Sequence, residues 1–238
     1  MKREKVSELT TNRLSVYLRC LNALLAAGIS TVSSQRLAEE FNLNSAQIRK
    51  DLAQFGEFGV RGVGYDVRAL RDHLTQILGL DRPHRAAIIG AGNLGAALAG
   101  YYGWSASNFS VVALFDSDSE KIGQHAGAAS LVVQPMESFA AIAEEETIDV
   151  AVIAVPGTAA QGVLNTIMDA GIKAVLNFAP ARLYPRPGVK IKTVDLTVSL
   201  ETLSFFLARP PAPFVNEAGN GLAAYGNRVN GEEHTDKF

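Results

Sequence analysis

The stretch IIGAGNLG, Ile88 to Gly95, carries glycines at 90, 92 and 95. This is the G-x-G-x-x-G spacing. Its first glycine permits a tight turn, its second admits a pyrophosphate, and its third allows close packing of helix on sheet. Glycine-rich turns can be merely structural, so the spacing alone decides little. Here it follows an apolar strand, Ala86–Ile89, and opens a helical segment, Asn93–Tyr102, which is the context a dinucleotide fingerprint requires. Amides at the start of that helix would face the phosphates. A second strand, Ser110–Phe115, ends at Asp116, 21 residues past Gly95. A carboxylate there accepts from both ribose hydroxyls and repels a 2′-phosphate, which favours NAD(H) over NADP(H). The candidate cofactor residues are therefore Gly90, Ala91, Gly92, Asn93, Leu94, Gly95 and Asp116. Val155 and Pro156, at the end of a later strand, join them.

Toward the C-terminus, strands and helices alternate. Asp149–Val155 and Lys173–Phe178 are apolar strands separated by a helix from about Thr158 to Ala170. A last strand, Lys190–Val194, leads through Asp195 into an apolar segment, Leu196–Leu207. That alternation predicts an α/β fold with a parallel, doubly wound sheet. Residues 210–238, PPAPFVNEAGNGLAAYGNRVNGEEHTDKF, have the composition of a disordered tail.

Before the fingerprint the grammar differs. Leu14, Tyr17, Leu18, Leu21, Leu24 and Leu25 recur at helical spacing between Asn12 and Ala27. A short helix follows Ser33-Ser34, with Leu37, Ala38 and Phe41 inward. After the turn Asn42-Leu43-Asn44, a third helix runs from Ser45 to about Phe55. Asn44 is its expected cap, with Gln47 completing a box-like pair. This is the order of a helix-turn-helix. Glycines at 56, 59, 62 and 64 around Phe58, Val60 and Val63 predict a small hairpin, and Asp66 can cap a fourth helix through Leu78. A break at GLDRPHR places the domain boundary near Arg82.

Charge follows the same division. Residues 1–85 hold 13 Lys and Arg against 9 Asp and Glu, whereas residues 86–238 hold 9 against 15. A basic unit can face a polyanion. Ile48, Leu52 and Phe55 share one face of the third helix, while Ala46, Gln47, Lys50 and Gln54 share another, flanked by Arg49. Gln and Lys near the start of such a helix can meet base edges in a major groove, and Arg49 can meet phosphate. A solvated helix face is the plain alternative. Arg61 beside Gly62 at a thin hairpin tip favours DNA, because such a tip suits a narrow minor groove. Ser45, Gln47, Arg49, Lys50, Arg61 and Gly62 are the candidate DNA-binding residues.

Other classes fit poorly. No apolar run reaches the ~20 residues of a membrane span, and the first residues lack a signal-type apolar core. With one cysteine, Cys20, there is no internal disulfide, and a reducing cytoplasmic location is expected. None of the four histidines (73, 84, 125 and 234) is placed to act on a nicotinamide, no Tyr-x-x-x-Lys pair occurs, and no metal-ligand cluster appears. No catalytic residue is assigned and no metal is expected.

The combination resembles the Rex family of redox-sensing transcriptional repressors over roughly residues 5–209. The matching stretches are NRLSVYLR (12–19), QIRKDLAQFGEFGVRGVGY (47–65), GAGNLGAAL (90–98), LNFAPARL (176–183) and VDL (194–196). The resemblance implies a homodimer with three parts in each chain. These are an N-terminal winged helix over 1–82, a Rossmann domain over 83–195 and a domain-swapped C-terminal helix over 196–209. It implies a repressor that binds a palindromic, A/T-rich operator in double-stranded DNA and is released by NADH, responding to the NADH/NAD⁺ ratio. It also implies DNA contacts at Gln47, Arg49, Lys50 and Arg61, and cofactor contacts at Gly90, Gly92, Gly95 and Asp116. Tyr101 matches an aromatic near the nicotinamide, although it could equally be a helix-packing aromatic. Arg13 and Asp195 match a pair linked to switching, although Arg13 could be a solvated helix residue. Two rival readings remain: an NAD-dependent oxidoreductase with an N-terminal oligomerisation unit, and a nucleotide-binding module like the CoA-binding domains of acyl-CoA ligases. The stretch AVIAVPGTAAQGVL (151–164) resembles the latter.

Overall fold

The structure is a computed structural model that describes residues 6–126 and 131–208. The chain divides into two compact units between Gly79 and Leu80. The expected tail, 210–238, lies outside the described residues.

Among the described residues the first unit contains four helices, α1 (Glu8–Ala26), α2 (Ser34–Phe41), α3 (Ser45–Ala53) and α4 (Val67–Ile77). Each begins at a residue whose side chain accepts an orphan amide of the first turn. Ser7 accepts from Thr10, Ser33 from Arg36, Asn44 from Gln47 and Asp66 from Ala69, at 3.1, 3.0, 2.9 and 2.7 Å. Such caps contribute about 1 kcal/mol each. The Ser7 cap starts α1 four residues before Asn12, where the apolar repeat alone would begin it. Asn42 turns α2 off in the left-handed region, at φ 51°. The apolar stripes then meet: Leu14, Tyr17, Leu21 and Leu24 of α1 are buried with Leu37, Ile48, Leu52, Leu70 and Leu74.

A three-stranded sheet completes this unit, in the order β1 (Thr31–Val32), β3 (Gly64–Asp66), β2 (Gly59–Val60), with both pairings antiparallel. The hairpin β2–β3 follows from its glycines. Strand β1 does not, because two residues are too few to show a period. It can pair only because Gly64 has φ 107° and no side chain: a Cβ there would sit 2.6 Å from the Val32 carbonyl oxygen.

The second unit is a seven-stranded sheet. Its strands in chain order are β4 (His84–Ile89), β5 (Phe109–Asp116), β6 (His125–Ala126), β7 (Leu131–Pro135), β8 (Val150–Ile153), β9 (Ala174–Asn177) and β10 (Lys190–Thr193). The spatial order is β10-β9-β8-β4-β5-β7-β6, parallel throughout except where β6 joins β7. From β4 the chain builds outward through β5 and β7, then returns to lay β8 on the other side of β4. The crevice opens at the carboxyl ends of β4 and β8, where that direction reverses.

Five helices accompany the sheet: α5 (Asn93–Ala99), α6 (Gly103–Ala106), α7 (Phe139–Glu145), α8 (Gly157–Asp169) and α9 (Leu196–Leu207). Alternation along β4 sends Ala87 and Ile89 into a core with Phe115, Phe139, Leu164 and Ile167, and Ile88 into a second with Leu114, Val133 and Val152. The expected helix Asn93–Tyr102 is shorter than its alanines suggest. It ends at Gly100, and Tyr101 falls in the turn before α6.

Candidate functional site

The glycine loop leaves β4 at the reversal point. Gly90 has φ 108°, and a Cβ on it would lie 2.5 Å from the Ala154 carbonyl oxygen and 3.1 Å from Val155. The loop is thus pressed against the end of β8, which brings Gly90 and Val155 together, with Ala91 and Pro156 next to them in the chain. A Cβ on Gly95 would collide with the Gly90 carbonyl, so helix and loop close on each other only through that glycine. Gly92 differs: nothing lies within 4 Å of its missing Cβ. Its smallness answers no packing need of the described residues, and the space it leaves fits a pyrophosphate passing over the loop.

Asp116, at the end of β5, closes the other side. Its Oδ2 accepts from the Ala91 amide at 2.8 Å and from Lys121 Nζ at 3.1 Å, and its Oδ1 accepts from the Asp118 amide at 3.0 Å. Burial would raise the Asp116 carboxyl, but the Asp118 and Ala91 amides and the Lys121 ammonium outweigh it and hold the group below the usual range. The carboxylate is therefore charged and already clamps the glycine loop. It retains acceptor capacity on Oδ1 for a ribose hydroxyl. Lys121 has no counterpart among the residues expected from the sequence; a lysine five positions beyond a strand end carries no recognisable signal.

Tyr101 is not at this crevice within its own chain. Its ring is half exposed, tilted 5.4 Å from Tyr102 and edge-on 6.1 Å from Trp104, which in turn meets Phe109 at 6.5 Å. Phe109 begins β5, so this aromatic group stands at the amino edge of the sheet, opposite the end that carries Asp116. The reason is α5, which runs back from the glycine loop along the sheet before releasing Tyr101. Asp195 lies at the carboxyl side: it caps α9, accepting from Thr197 and Val198 at 2.9 and 3.3 Å. It also lines an open cleft of about 570 Å³ with Arg182, Leu183 and Ile191. Beyond it, α9 buries no residue. Leu196, Val198, Leu200, Leu203, Phe205, Phe206 and Leu207 are all exposed, Leu207 by 88%.

In the first unit α3 carries Ser45, Gln47, Arg49 and Lys50. Lys50 is solvent-facing, and Arg49 is drawn aside by a 2.9 Å hydrogen bond to Ser34 Oγ at the start of α2. Arg61 and Gly62 form the exposed tip of the β2–β3 hairpin. Gly62 adopts φ 82°, and the Val63 amide donates back to the Val60 carbonyl to close the turn. Val60 and Val63 flank the tip and are about two-thirds exposed.

A second residue missed from the sequence is Asp51. It is fully buried, and four donors converge on it. Arg13 approaches with Nε at 2.5 Å from Oδ2 and Nη2 at 2.7 Å from Oδ1, Tyr17 donates to Oδ2 at 2.9 Å, and Gln47 donates to Oδ1 at 2.7 Å. Burial would raise this carboxyl, but the hydrogen bonds from Arg13, Gln47 and Tyr17 hold it below the ordinary range. Arg13 is thus committed within its own unit. Gln47 does not return to the Asn44 amide as a capping box would; its side chain turns to Asp51. The signal was a charged residue at an inner-face position, beside Ile48 and Leu52.

Known proteins share this organisation. Residues 5–53 match the family model "Putative DNA-binding protein N-terminus", and residues 81–181 match "CoA binding domain". The redox-sensing transcriptional repressor Rex of Carboxydothermus hydrogenoformans is 45% identical over 209 residues, covering 88% of this chain and all of that protein. Rex of Desulforamulus reducens is 45% identical over 87% of this chain and 98% of its own length. Among solved structures, RSP, a Rex-family repressor, in complex with β-NAD⁺ and operator DNA superposes with a TM-score of 0.81 at 36% identity, covering 86% of this chain and 93% of that one. The same protein with β-NADH gives 0.76 at 35% identity, covering 86% and 95%.

Proposed function

Because the chain belongs to the Rex family of redox-sensing transcriptional repressors, we propose that it binds operator DNA as a homodimer and is released by NADH, performing no reaction of its own. The observation that carries this reading is the presence, in one chain, of an exposed helix-and-wing surface and a glycine-loop crevice closed by a charged carboxylate. The operator is an A/T-rich palindrome. Lys50 and Gln47 enter the major groove, Arg61 and Gly62 enter the minor groove, and Ser45 and Arg49 meet the backbone. In the crevice, Gly90 to Gly95 cradle the pyrophosphate beside Val155 and Pro156, and Asp116 holds the adenosine ribose. Tyr101 reaches a nicotinamide only in the crevice of a second copy. NADH carries a neutral ring and NAD⁺ a positive one, so only contacts sensitive to that difference shift the balance between two protein states. Arg13 and Asp195 take part in that shift.

Asp116→Ser should lower the NADH affinity about 10- to 100-fold, the worth of a hydrogen bond to a charged acceptor, and should improve NADPH relative to NADH. Calorimetric titration of both cofactors checks this, and an unchanged preference would remove Asp116 from the ribose site. On DNA, Lys50→Ala should cost ~1–3 kcal/mol on the cognate duplex and little on random sequence. Arg61→Ala should chiefly penalise duplexes with a narrow A/T minor groove under the wing. Anisotropy titrations with cognate, random and G/C-substituted duplexes separate the two effects, and equal losses on every sequence would reduce both residues to phosphate contacts.

A further inference from the structure

Gln47 sits on the third residue of α3, one turn before Asp51, so the two side chains share a face of the helix. Its amide nitrogen donates to Asp51 Oδ1 at 2.7 Å. Asp51 is an ionised carboxylate with no hydrogen to give, so the contact has a direction: the nitrogen of the Gln47 amide must face it, and the oxygen cannot. Turning the amide by half a revolution would set two acceptor oxygens against each other at that distance. The carboxylate is itself immobile. Arg13 grips both of its oxygens, Tyr17 holds one, and the whole group is buried. Among the described residues, no donor engages Gln47 Oε1.

We propose that Asp51 is a positioning residue for base reading, fixing the order of the Gln47 amide so that its carbonyl oxygen is offered to a hydrogen-bond-donating base edge. This rests on Gln47 entering the major groove as proposed above. A glutamine free to turn could present two N–H groups to the paired acceptors of guanine, or an acceptor and a donor to adenine. One N–H of Gln47 is spent on Asp51. What remains is one oxygen and one N–H, which can meet the N6 donor and N7 acceptor of adenine and cannot satisfy both the O6 and N7 acceptors of guanine. Asp51 touches no DNA and acts only through Gln47.

The test is a panel of operator duplexes carrying each of the four base pairs at each position of one half-site. It is titrated with the unaltered protein, Gln47→Ala and Asp51→Asn. The unaltered protein should prefer adenine over guanine about 10-fold or more at one position. Gln47→Ala should flatten that position alone. Asp51→Asn should flatten the same position to within ~3-fold and keep the ratios elsewhere, because an asparagine amide can either accept or donate and so lets Gln47 turn. If Asp51→Asn weakens every duplex by one factor and keeps the adenine preference, Asp51 is only structural and the proposal falls. If Gln47→Ala changes no preference, the proposal falls while operator binding and its release by NADH stand. If the unaltered protein shows no sequence preference, the repressor reading falls with it. Should Asp51→Asn fail to fold, NMR of the unaltered protein decides. One Gln47 side-chain amide proton should lie downfield and exchange slowly, and two solvent-averaged protons would overturn the proposal.

Discussion

Leu203→Glu combined with Phe206→Glu should turn the protein into a monomer and weaken binding to a palindromic operator by about 100- to 10,000-fold. Helix α9 exposes seven large apolar side chains and buries none, a state that water opposes. Covering such a set yields on the order of 10 kcal/mol per helix, enough to hold two copies together. The domain-swapped arrangement that the family resemblance implies would cover them. A palindrome is bound tightly because the second head finds its half-site at high effective concentration, and that advantage vanishes with the dimer. Sedimentation equilibrium reads the first effect and fluorescence anisotropy the second. NADH binding, weakened by the loss of the second copy's Tyr101 but still measurable, would show that the Rossmann unit still folds. A variant that remains dimeric, or that keeps full operator affinity, would remove α9 from the interface.

Arg13→Ala should destabilise the first unit by about 3 kcal/mol, the lower part of the range for breaking a buried ion pair, because Arg13 itself is 26% exposed and Asp51 is not exposed at all. For a unit of this size that lowers the midpoint by more than about 10 °C. The cost arises from leaving a buried carboxylate short of donors, so Arg13→Met with Asp51→Leu should cost less than Arg13→Met alone. The sign of the pH effect follows from the lowered Asp51 pKa. Its stabilisation is fully present above the unfolded value, near pH 4, and is lost as pH falls through the lower folded value. In Arg13→Ala, burial loses its main opponent, and the loss should begin at higher pH. Thermal melts across pH 3–7 check both; an unshifted acid limb would mean that Asp51 does not depend on Arg13.

Residues that announce themselves by type were legible from the sequence. Gly90 and Gly95 stand where any Cβ would strike backbone, Asn44 and Asp66 cap helices, and Asp116 ends its strand beside the glycine loop. Roles fixed by long-range packing were not. Asp51 reads as one more charge in a helix until Arg13, 38 residues earlier, is folded onto it. Gly100 breaks a helix that Ala96, Ala97 and Ala99 would extend, and so Tyr101 falls in a turn at the amino edge of the sheet. Strands β6 and β7 and helix α7 are too short, or too weakly periodic, to register before the sheet selects them.

The proposed function requires NADH and operator DNA to oppose each other on this protein. Linkage requires NADH to weaken operator affinity by the same factor by which operator weakens NADH affinity. The direct measurement is anisotropy of a labelled A/T-rich palindromic duplex with the unaltered protein, titrated in parallel with NADH and NAD⁺. NADH should lower the affinity for the duplex about 10-fold or more, while NAD⁺ at equal concentration leaves it within about 2-fold, the typical span of coupling being ~1–3 kcal/mol. Operator affinity unchanged by NADH, or lowered equally by both forms, would contradict the account.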